Sequence, residues 1–288
     1  MEKQHSVTFR DEAKRSGALW IPLALLFLIV IFFELAPAAY ILFSSFNSDN
    51  GMTFANYAEA FTSKYYRLAL LHSIVLAIVS ALIGIAVGTI AALCIKGLSA
   101  GASNRILTFI NTTTNYAGVP LAFAFMVLLG TTGVVTVFMK NVMGVDIYNS
   151  GFNLYSWGGL TLVYVYFQIP LAIMLMFPAA GSIKDSTREA AKILGANNFK
   201  FWIRIGIPTL LPAILGSLCI LFANALGAYA TAYALVASNK GILAICVANL
   251  VSGDMSANPY LACSLATIMG AILMVMLFIK SKLYKRSV

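Results

Sequence analysis

The sequence predicts an all-α polytopic membrane protein with six transmembrane helices and a helix–turn–helix in one cytoplasmic loop. Three observations support this fold class. The 288 residues are 60% hydrophobic and only 10% charged, whereas soluble domains carry about 25% charged residues. Six apolar runs reach the length of about 20 residues that a helix needs to cross a bilayer. The positive charges lie mainly between these runs, as orientation signals do.

The six apolar runs are predicted to be helices because backbone amides in lipid have no water to bind. Their approximate limits are Leu19–Phe43, Leu68–Ile95, Ile106–Gly130, Tyr155–Ala180, Thr209–Val236 and Tyr260–Ile279. The first run exceeds the apolar part of a signal peptide, so we interpret it as an uncleaved helix. Gly84 and Gly88 in the second run are four residues apart and predict a close helix–helix contact.

The distribution of lysine and arginine predicts the orientation. Fifteen of the 19 fall on one side of the predicted bundle, and the other four are Lys64, Arg67, Lys140 and Lys240. Because cytoplasmic loops carry the excess, both termini and the loops after the second and fourth runs are expected in the cytoplasm. The predicted organisation is a cytoplasmic tail 1–18, a membrane domain 19–282 and a cytoplasmic tail 283–288.

Several function classes are disfavoured by the same sequence. The net charge of +9 does not form a basic stripe with interleaved aromatics, as nucleic-acid binding requires. The spacings of Cys94, Cys219, Cys246 and Cys263 suit neither a zinc site nor a disulfide scaffold. Neither a phosphate-binding GxxxxGK[ST] loop nor a catalytic set of paired groups occurs. We therefore expect no enzymatic activity, no metal and no cofactor.

The two long outer loops, residues 44–66 and 131–154, are too polar to span a membrane. The second contains a short predicted interfacial helix over Thr136–Met143.

The cytoplasmic loop 184–207 has the pattern of two short helices joined by a turn. Ser186 and Glu189 match a capping box at the start of a helix over Thr187–Leu194. Gly195 suits the left-handed turn that ends such a helix.

The second short helix is predicted over Phe199–Ile205, with Asn197 or Asn198 as its N-cap. Pro208 is expected to end it before the fifth transmembrane run begins.

This loop resembles the EAA loop in the permease subunits of binding-protein-dependent ABC importers. The residues that carry the resemblance are Glu189, Ala190, Ala191, Gly195, Ala196, Phe199, Ile205, Pro208 and Pro212. The six-span topology and the position of the loop before the last two spans agree with that family.

The resemblance implies that Glu189, Ala190, Ala191, Gly195 and Ala196 dock onto a separate ATPase. Taken alone, Glu189 could equally do no more than cap its own helix. The implied partners are a cytoplasmic ABC ATPase dimer, a second permease subunit of a different homologous chain, and an extracytoplasmic substrate-binding protein. The implied location is the bacterial cytoplasmic membrane.

Polar residues within the runs are the candidates for a substrate pathway, because polar groups in lipid are costly. They are Glu34, Asn115, Tyr164, Gln168, Asn224 and Tyr229. Hydrogen bonding between helices is the alternative role for each of them.

Three stretches resemble the polyamine, ferric-iron and aminophosphonate branch of the family, namely 119–125, 164–170 and 227–235. The expected substrate is thus a polyamine, an iron complex or a phosphonate-like solute. The alternative function is a secondary transporter or channel that works without an ATPase, which would need ion-coupling groups at membrane depth. Glu34 is the only acidic residue deep in a run.

Overall fold

Helices dominate the structure. The computed structural model describes residues 22–49, 51–237, 241–252 and 257–285, without the side chains of 283–285. In chain order its helices are α1 (Pro22–Ser44), α2 (Ala55–Thr62), α3 (Lys64–Lys96), α4 (Ala100–Thr114), α5 (Val119–Leu129), α6 (Val134–Val142), α7 (Trp157–Ala180), α8 (Asp185–Ile193), α9 (Asn198–Phe201), α10 (Ile207–Leu226), α11 (Tyr229–Val236), α12 (Leu243–Ser252) and α13 (Pro259–Lys285). A small antiparallel hairpin of β1 (Asn47–Ser48) and β2 (Gly51–Met52) follows α1.

Six helical segments of the described chain are long and apolar enough to cross a membrane, which confirms the predicted fold class. They are Pro22–Ser44, Lys64–Lys96, Val119–Val142, Trp157–Ala180, Asn198–Leu226 and Pro259–Lys282. The predicted tail 1–18 lies outside the described residues, as do residues 286–288 of the second predicted tail. Helix α13 continues through Lys285, beyond the predicted end of the membrane domain.

The centre of the bundle is formed by α3, α7 and α10, which pack against one another. Gly84 and Gly88 lie at the α3–α7 contact, as predicted. A Cβ atom placed on Gly84 would lie 2.8 Å from Cβ of Gln168, and one on Gly88 would lie 2.4 Å from Cβ of Ala172. The two glycines therefore allow α7 to approach the α3 backbone more closely than any side chain would.

The predicted continuous third span, Ile106–Gly130, is wrong, because the helix stops at Thr114 and restarts at Val119. Gly118 between the two helices has φ +73°, a conformation that glycine adopts freely. Pro120 has no N–H to donate, so it is accommodated in the first turn of α5. The chain then turns again and forms α6, close to the predicted helix Thr136–Met143.

The fifth predicted span, Thr209–Val236, differs from the structure at both ends. Pro208 does not end the preceding helix, because a π-helical turn, Trp202–Gly206, joins α9 to α10. In that turn the N–H of Ile207 bonds the carbonyl of Trp202. A wider turn of this kind absorbs the hydrogen bond that proline cannot make. At the other end the helix breaks at Gly227 and Ala228 before α11.

Candidate functional site

Two helix breaks lie next to each other in the structure, and most of their residues are exposed. One is the segment 115–118 between α4 and α5, and the other is 227–228 between α10 and α11. The N–H of Gly118 donates to the hydroxyl of Thr231 at 3.0 Å, which ties the breaks together. Helices α5 and α11 also pack against each other beyond the breaks. Discontinuous helices expose backbone groups that an intact helix would use internally, so such breaks are sites where membrane proteins bind polar ligands.

A cavity of about 480 Å³ lies between the two breaks. Its polar wall is formed by Thr114, Asn224, Tyr229 and Thr231, with backbone at Gly118. Its apolar wall includes aromatic and aliphatic side chains of α7. Among the described residues that line it, none carries a formal charge. The cavity is therefore suited to a small polar solute that is held by neutral hydrogen-bonding groups and aromatic faces.

Helix α7 supports the break in the fifth span through two polar side chains. The hydroxyl of Tyr164 donates to the carbonyl of Ala228 at 2.8 Å. One turn further along, the amide of Gln168 donates to the carbonyl of Leu221 at 2.6 Å. The amide of Asn224 in turn donates to Oε1 of Gln168 at 3.2 Å. The first of these bonds satisfies the carbonyl of Ala228 in the break, and the other two join α7 to α10 next to it.

The structure brings four of the predicted pathway residues to this region. Asn224 and Tyr229 line the cavity, whereas Tyr164 and Gln168 are buried behind its wall. Tyr229 also stacks on Tyr233, with ring centroids 5.3 Å apart.

The other two predicted pathway residues are placed differently. Asn115 lies in the first break, where its side chain donates to the carbonyl of Asn111 at 3.1 Å, and it does not line the cavity. Glu34 lies on the exposed surface of α1 in a π-helical turn, and no residue of α1 lines the cavity.

Thr114, Gly118 and Thr231 also line the cavity and were not predicted from the sequence. The Gly-Val-Pro sequence at 118–120 is the signal that indicates the first break, because both glycine and proline disfavour a continuous helix. For Thr231 the sequence carries no such signal, since an isolated threonine in an apolar run is common in membrane helices.

The second notable region is the hairpin of α8 and α9. Gly195 has φ +77°, as predicted for the turn that ends α8. The N–H of Ala196 bonds the carbonyl of Ala191, and the N–H of Gly195 bonds that of Lys192, both at 2.9 Å. This pair of bonds is the Schellman arrangement, which satisfies the last carbonyls of a helix. The sharp turn is thus stabilised by backbone hydrogen bonds.

The two predicted caps of the hairpin had different outcomes. Asn197, one of the two predicted N-cap residues, caps α9, because its Oδ1 accepts the N–H of Lys200 at 2.8 Å. The predicted capping box of Ser186 and Glu189 is wrong. Helix α8 starts at Asp185 with Lys184 as its N-cap residue, and the cap has no side-chain hydrogen bond. Ser186 therefore lies inside the first turn, where its hydroxyl cannot cap the helix.

The hairpin exposes three large apolar side chains. Ile193, Leu194 and Phe199 are 86%, 87% and 72% exposed. Glu189 and Ala190 are also exposed, whereas Ala191 faces the bundle and is buried. Side chains as apolar as these rarely stay in water unless a partner covers them.

A continuous helical segment connects the hairpin to the cavity. The side chain of Lys96 at the end of α3 donates to the carbonyl of Ile183, and Phe201 in α9 is buried. From Asn198 to Leu226 the chain is helical without interruption. At 1.5 Å per residue this is a rod of about 40 Å. It begins at the hairpin and ends at the break that lines the cavity.

Comparison with known families gives one extensive match. The model of a family described as "Binding-protein-dependent transport system inner membrane component" matches residues 84–286. This range contains both helix breaks, the cavity and the α8–α9 hairpin.

Individual proteins are also similar to this chain. The putative 2-aminoethylphosphonate transport system permease protein PhnU of Salmonella typhimurium is 26% identical over 206 residues, covering 70% of this chain and 71% of the relative. The sulfate transport system permease protein CysW of Escherichia coli is 23% identical over 274 residues, covering 93% and 88%.

A solved structure of a bacterial ABC transporter involved in the import of the acidic polysaccharide alginate has the same fold. Its TM-score is 0.73 at 18% identity, and the match covers 96% of this chain and 97% of that one. The MetNI methionine ABC transporter in an inward-facing conformation is more distant, with a TM-score of 0.54 at 13% identity.

Proposed function

Because the chain belongs to the family of binding-protein-dependent transport system inner membrane components, we propose that it forms part of the substrate pathway of an ATP-binding-cassette importer. The single observation that carries the proposal is the cavity between the two facing breaks, at the end of a continuous helical rod that starts in an exposed hairpin. Such an arrangement can convert movement at the hairpin into a change of the cavity wall.

The proposed docking element for the ATPase is the part of the hairpin that contains Glu189, Ala190, Ala191, Gly195 and Ala196, of which Ala191 packs against the bundle. The exposed Ile193, Leu194 and Phe199 support it, since they supply an apolar surface for a groove on a partner. Hydrolysis of ATP then takes place on the partner subunit, and this chain contributes no catalytic residue.

The proposed pathway passes the cavity at Asn224 and Tyr229, with Tyr164 and Gln168 as the groups that hold its wall. Asn115 in the first break and Glu34 on α1 remain candidates for positions along the pathway outside the cavity.

The complete importer is proposed to contain a cytoplasmic ATPase dimer, a second permease subunit and an extracytoplasmic substrate-binding protein. The chain would lie in the bacterial cytoplasmic membrane with both termini and the α8–α9 hairpin in the cytoplasm. The excess of lysine and arginine on that side supports this orientation.

The proposed substrate class is a phosphonate-like solute. The name of the Salmonella relative supports this class, and the volume of the cavity suits a small molecule. Sulfate, suggested by the name of the Escherichia coli relative, as well as a polyamine or an iron complex, are the other substrates to be tested.

The experiment is ATP-driven uptake into proteoliposomes that contain the chain with its ATPase, its second permease subunit and its binding protein. The double variant Ile193→Asp, Leu194→Asp is expected to lose ATPase association and uptake, because it places two charges on the apolar docking surface. Met52→Asp is the matched control, since Met52 is 83% exposed in the β-hairpin at the other end of α3. Uptake by the purified chain without an ATPase would refute the importer and favour the secondary transporter or channel.

A further inference from the structure

The buried side-chain amide of Gln168 determines how the side-chain amide of Asn224 faces the cavity. Gln168 is fully buried in α7 and lies between two groups of α10. Its Nε2 is 2.6 Å from the carbonyl oxygen of Leu221, and its Oε1 is 3.2 Å from Nδ2 of Asn224. Asn224 itself is exposed and lines the cavity. The three groups form a chain of hydrogen bonds from the α10 backbone to the cavity wall.

The chemistry of these groups allows only one orientation of both amides. A backbone carbonyl is an acceptor, so Gln168 must turn its NH₂ group toward Leu221. Its Oε1 then faces Asn224 and can only accept, so Asn224 must turn its own NH₂ group toward Gln168. Rotating either amide by 180° would bring two oxygens into contact. This assignment therefore follows from the hydrogen-bond network, which is the way amide orientation is decided.

The consequence is that the free end of the Asn224 amide is the oxygen Oδ1. Within the described part of the chain, no hydrogen bond to this oxygen is found. The neighbouring cavity residue Tyr229 offers an aromatic face, which attracts cations. Both groups favour a ligand that donates hydrogen bonds and carries positive charge.

We propose that Gln168 is a positioning residue that fixes Asn224 with its carbonyl oxygen toward the cavity, so that the cavity selects solutes bearing a hydrogen-bond donor, above all a protonated amine. This inference rests on the proposed role of the cavity as part of the substrate pathway. At Asn224 it favours solutes that bear a protonated amine over anions that have only acceptors, such as sulfate.

The first test uses the isolated chain in detergent micelles and does not depend on transport. The side-chain amides of asparagine and glutamine are labelled with ¹⁵N, and the signal of Asn224 is identified by its loss in Asn224→Leu. Ethylammonium and acetate serve as probes, since the first donates hydrogen bonds and the second only accepts them. We expect ethylammonium to shift the Asn224 signal saturably and acetate to leave it nearly unchanged.

The variant Gln168→Met tests the positioning role, because methionine fills a similar volume without holding either amide. In this variant Asn224 is free to rotate, so the preference for ethylammonium over acetate should disappear. Hydrogen exchange of the Gln168 and Asn224 side-chain amide protons in the wild-type protein tests the same hydrogen bonds without a substitution. Slow exchange of the buried Gln168 amide is expected, and fast exchange of Gln168 would overturn the proposal. Equal shifts with both probes in the wild-type protein would also overturn it.

The second test is transport by the complete importer with 2-aminoethylphosphonate as the probe. Losing a hydrogen bond to a charged group costs enough to predict a decrease in the maximal uptake rate of about tenfold for Asn224→Leu. The matched control is Asn111→Leu, an exposed asparagine of α4 that does not line the cavity, and it should change the rate less than about twofold. Equal rates for the two variants would refute the role of Asn224. Absence of ATP-driven uptake in the wild-type importer would instead count against the proposed function, while the amide measurements above would still decide the orientation.

Discussion

The close contact of α3 and α7 at Gly88 gives a prediction that can be worked out from the structure. A Cβ atom at this position would lie 2.4 Å from Cβ of Ala172, 3.0 Å from the carbonyl carbon of Ala172 and 3.1 Å from the backbone nitrogen of Ile173. Carbon atoms in ordinary contact are about 3.5–4.0 Å apart. In Gly88→Ala, the new Cβ would meet backbone atoms and the short side chain of Ala172, which cannot rotate out of the way. Helix α7 must therefore move away from α3 by roughly 1 Å.

We expect Gly88→Ala to lower the free energy of unfolding by about 1–3 kcal/mol, the usual cost of overpacking. A gap of 0.5–1 Å also removes about a quarter to a half of the dispersion attraction at the contacts that separate. For a chain of this size the melting temperature should fall by about 2–4 °C per kcal/mol. The assay is thermal unfolding in lipid nanodiscs, followed by tryptophan fluorescence.

The control for this prediction is Gly270→Ala in α13, because a Cβ atom there would meet no atom within 4 Å. Alanine is favoured over glycine in a helix, so this variant should be neutral or slightly stabilising. The double variant Gly88→Ala, Ala172→Gly removes the 2.4 Å contact but keeps the backbone contacts, so it should recover part of the lost stability. If Gly88→Ala melts at the same temperature as Gly270→Ala, the reasoning about the helix contact is refuted.

Three further predictions concern single interactions. Gly195 has φ +77°, so Gly195→Ala should destabilise the α8–α9 turn by about 1 kcal/mol and weaken ATPase association. Asparagine tolerates this conformation, so Gly195→Asn should have a smaller effect. Association of both variants with the ATPase at the wild-type level would contradict a role for the turn. Tyr164→Phe removes the hydrogen bond to the carbonyl of Ala228 and should lower the free energy of unfolding by about 1 kcal/mol. Backbone hydrogen exchange at residues 227–231 should become faster. Unchanged exchange would show that the bond does not hold the break. Lys140, whose ammonium lies 3.0 Å from Asp146, and the N–H groups of Asn149 and Tyr148 hold the pKa of the Asp146 carboxyl below its usual value. Because this pKa is lowered by folding, the stabilisation is present above about pH 4 and is lost as the pH falls through the folded value. The amide signal of Asn149 should report this change in the wild-type protein and not in Asp146→Asn.

The hairpin of α8 and α9 shows how far local sequence determines structure. The left-handed turn at Gly195 and the cap by Asn197 were predicted because both depend on residues within a few positions along the chain. The capping box failed because Ser186 and Glu189 compete with alternative starts one or two residues away, and the structure selects Asp185 as the first helical residue. Boundaries of short helices are decided by such small differences in energy.

The two helix breaks were not predicted, for a physical reason that applies to both. In lipid, hydrophobicity decides whether a segment enters the membrane, and the residues that follow Gly118 and those on both sides of Gly227 are mainly apolar. Glycine and proline are tolerated in membrane helices when neighbouring groups satisfy the freed backbone. Here those neighbours are Thr231, which accepts the N–H of Gly118, and Tyr164, which donates to Ala228. Such partners lie far away in the sequence, so the local pattern carries no information about them.

The sequence by itself therefore determined the number of membrane-spanning segments, the position of the hairpin and the close contact of two helices at Gly84 and Gly88. These properties follow from the length of apolar runs and from the size of a side chain, which are local quantities. The tertiary structure alone decided that the two breaks meet around one cavity and that Gln168 orients Asn224 toward it. A hydrogen bond between residues on different helices depends on how those helices are placed, and packing of the whole bundle sets that placement.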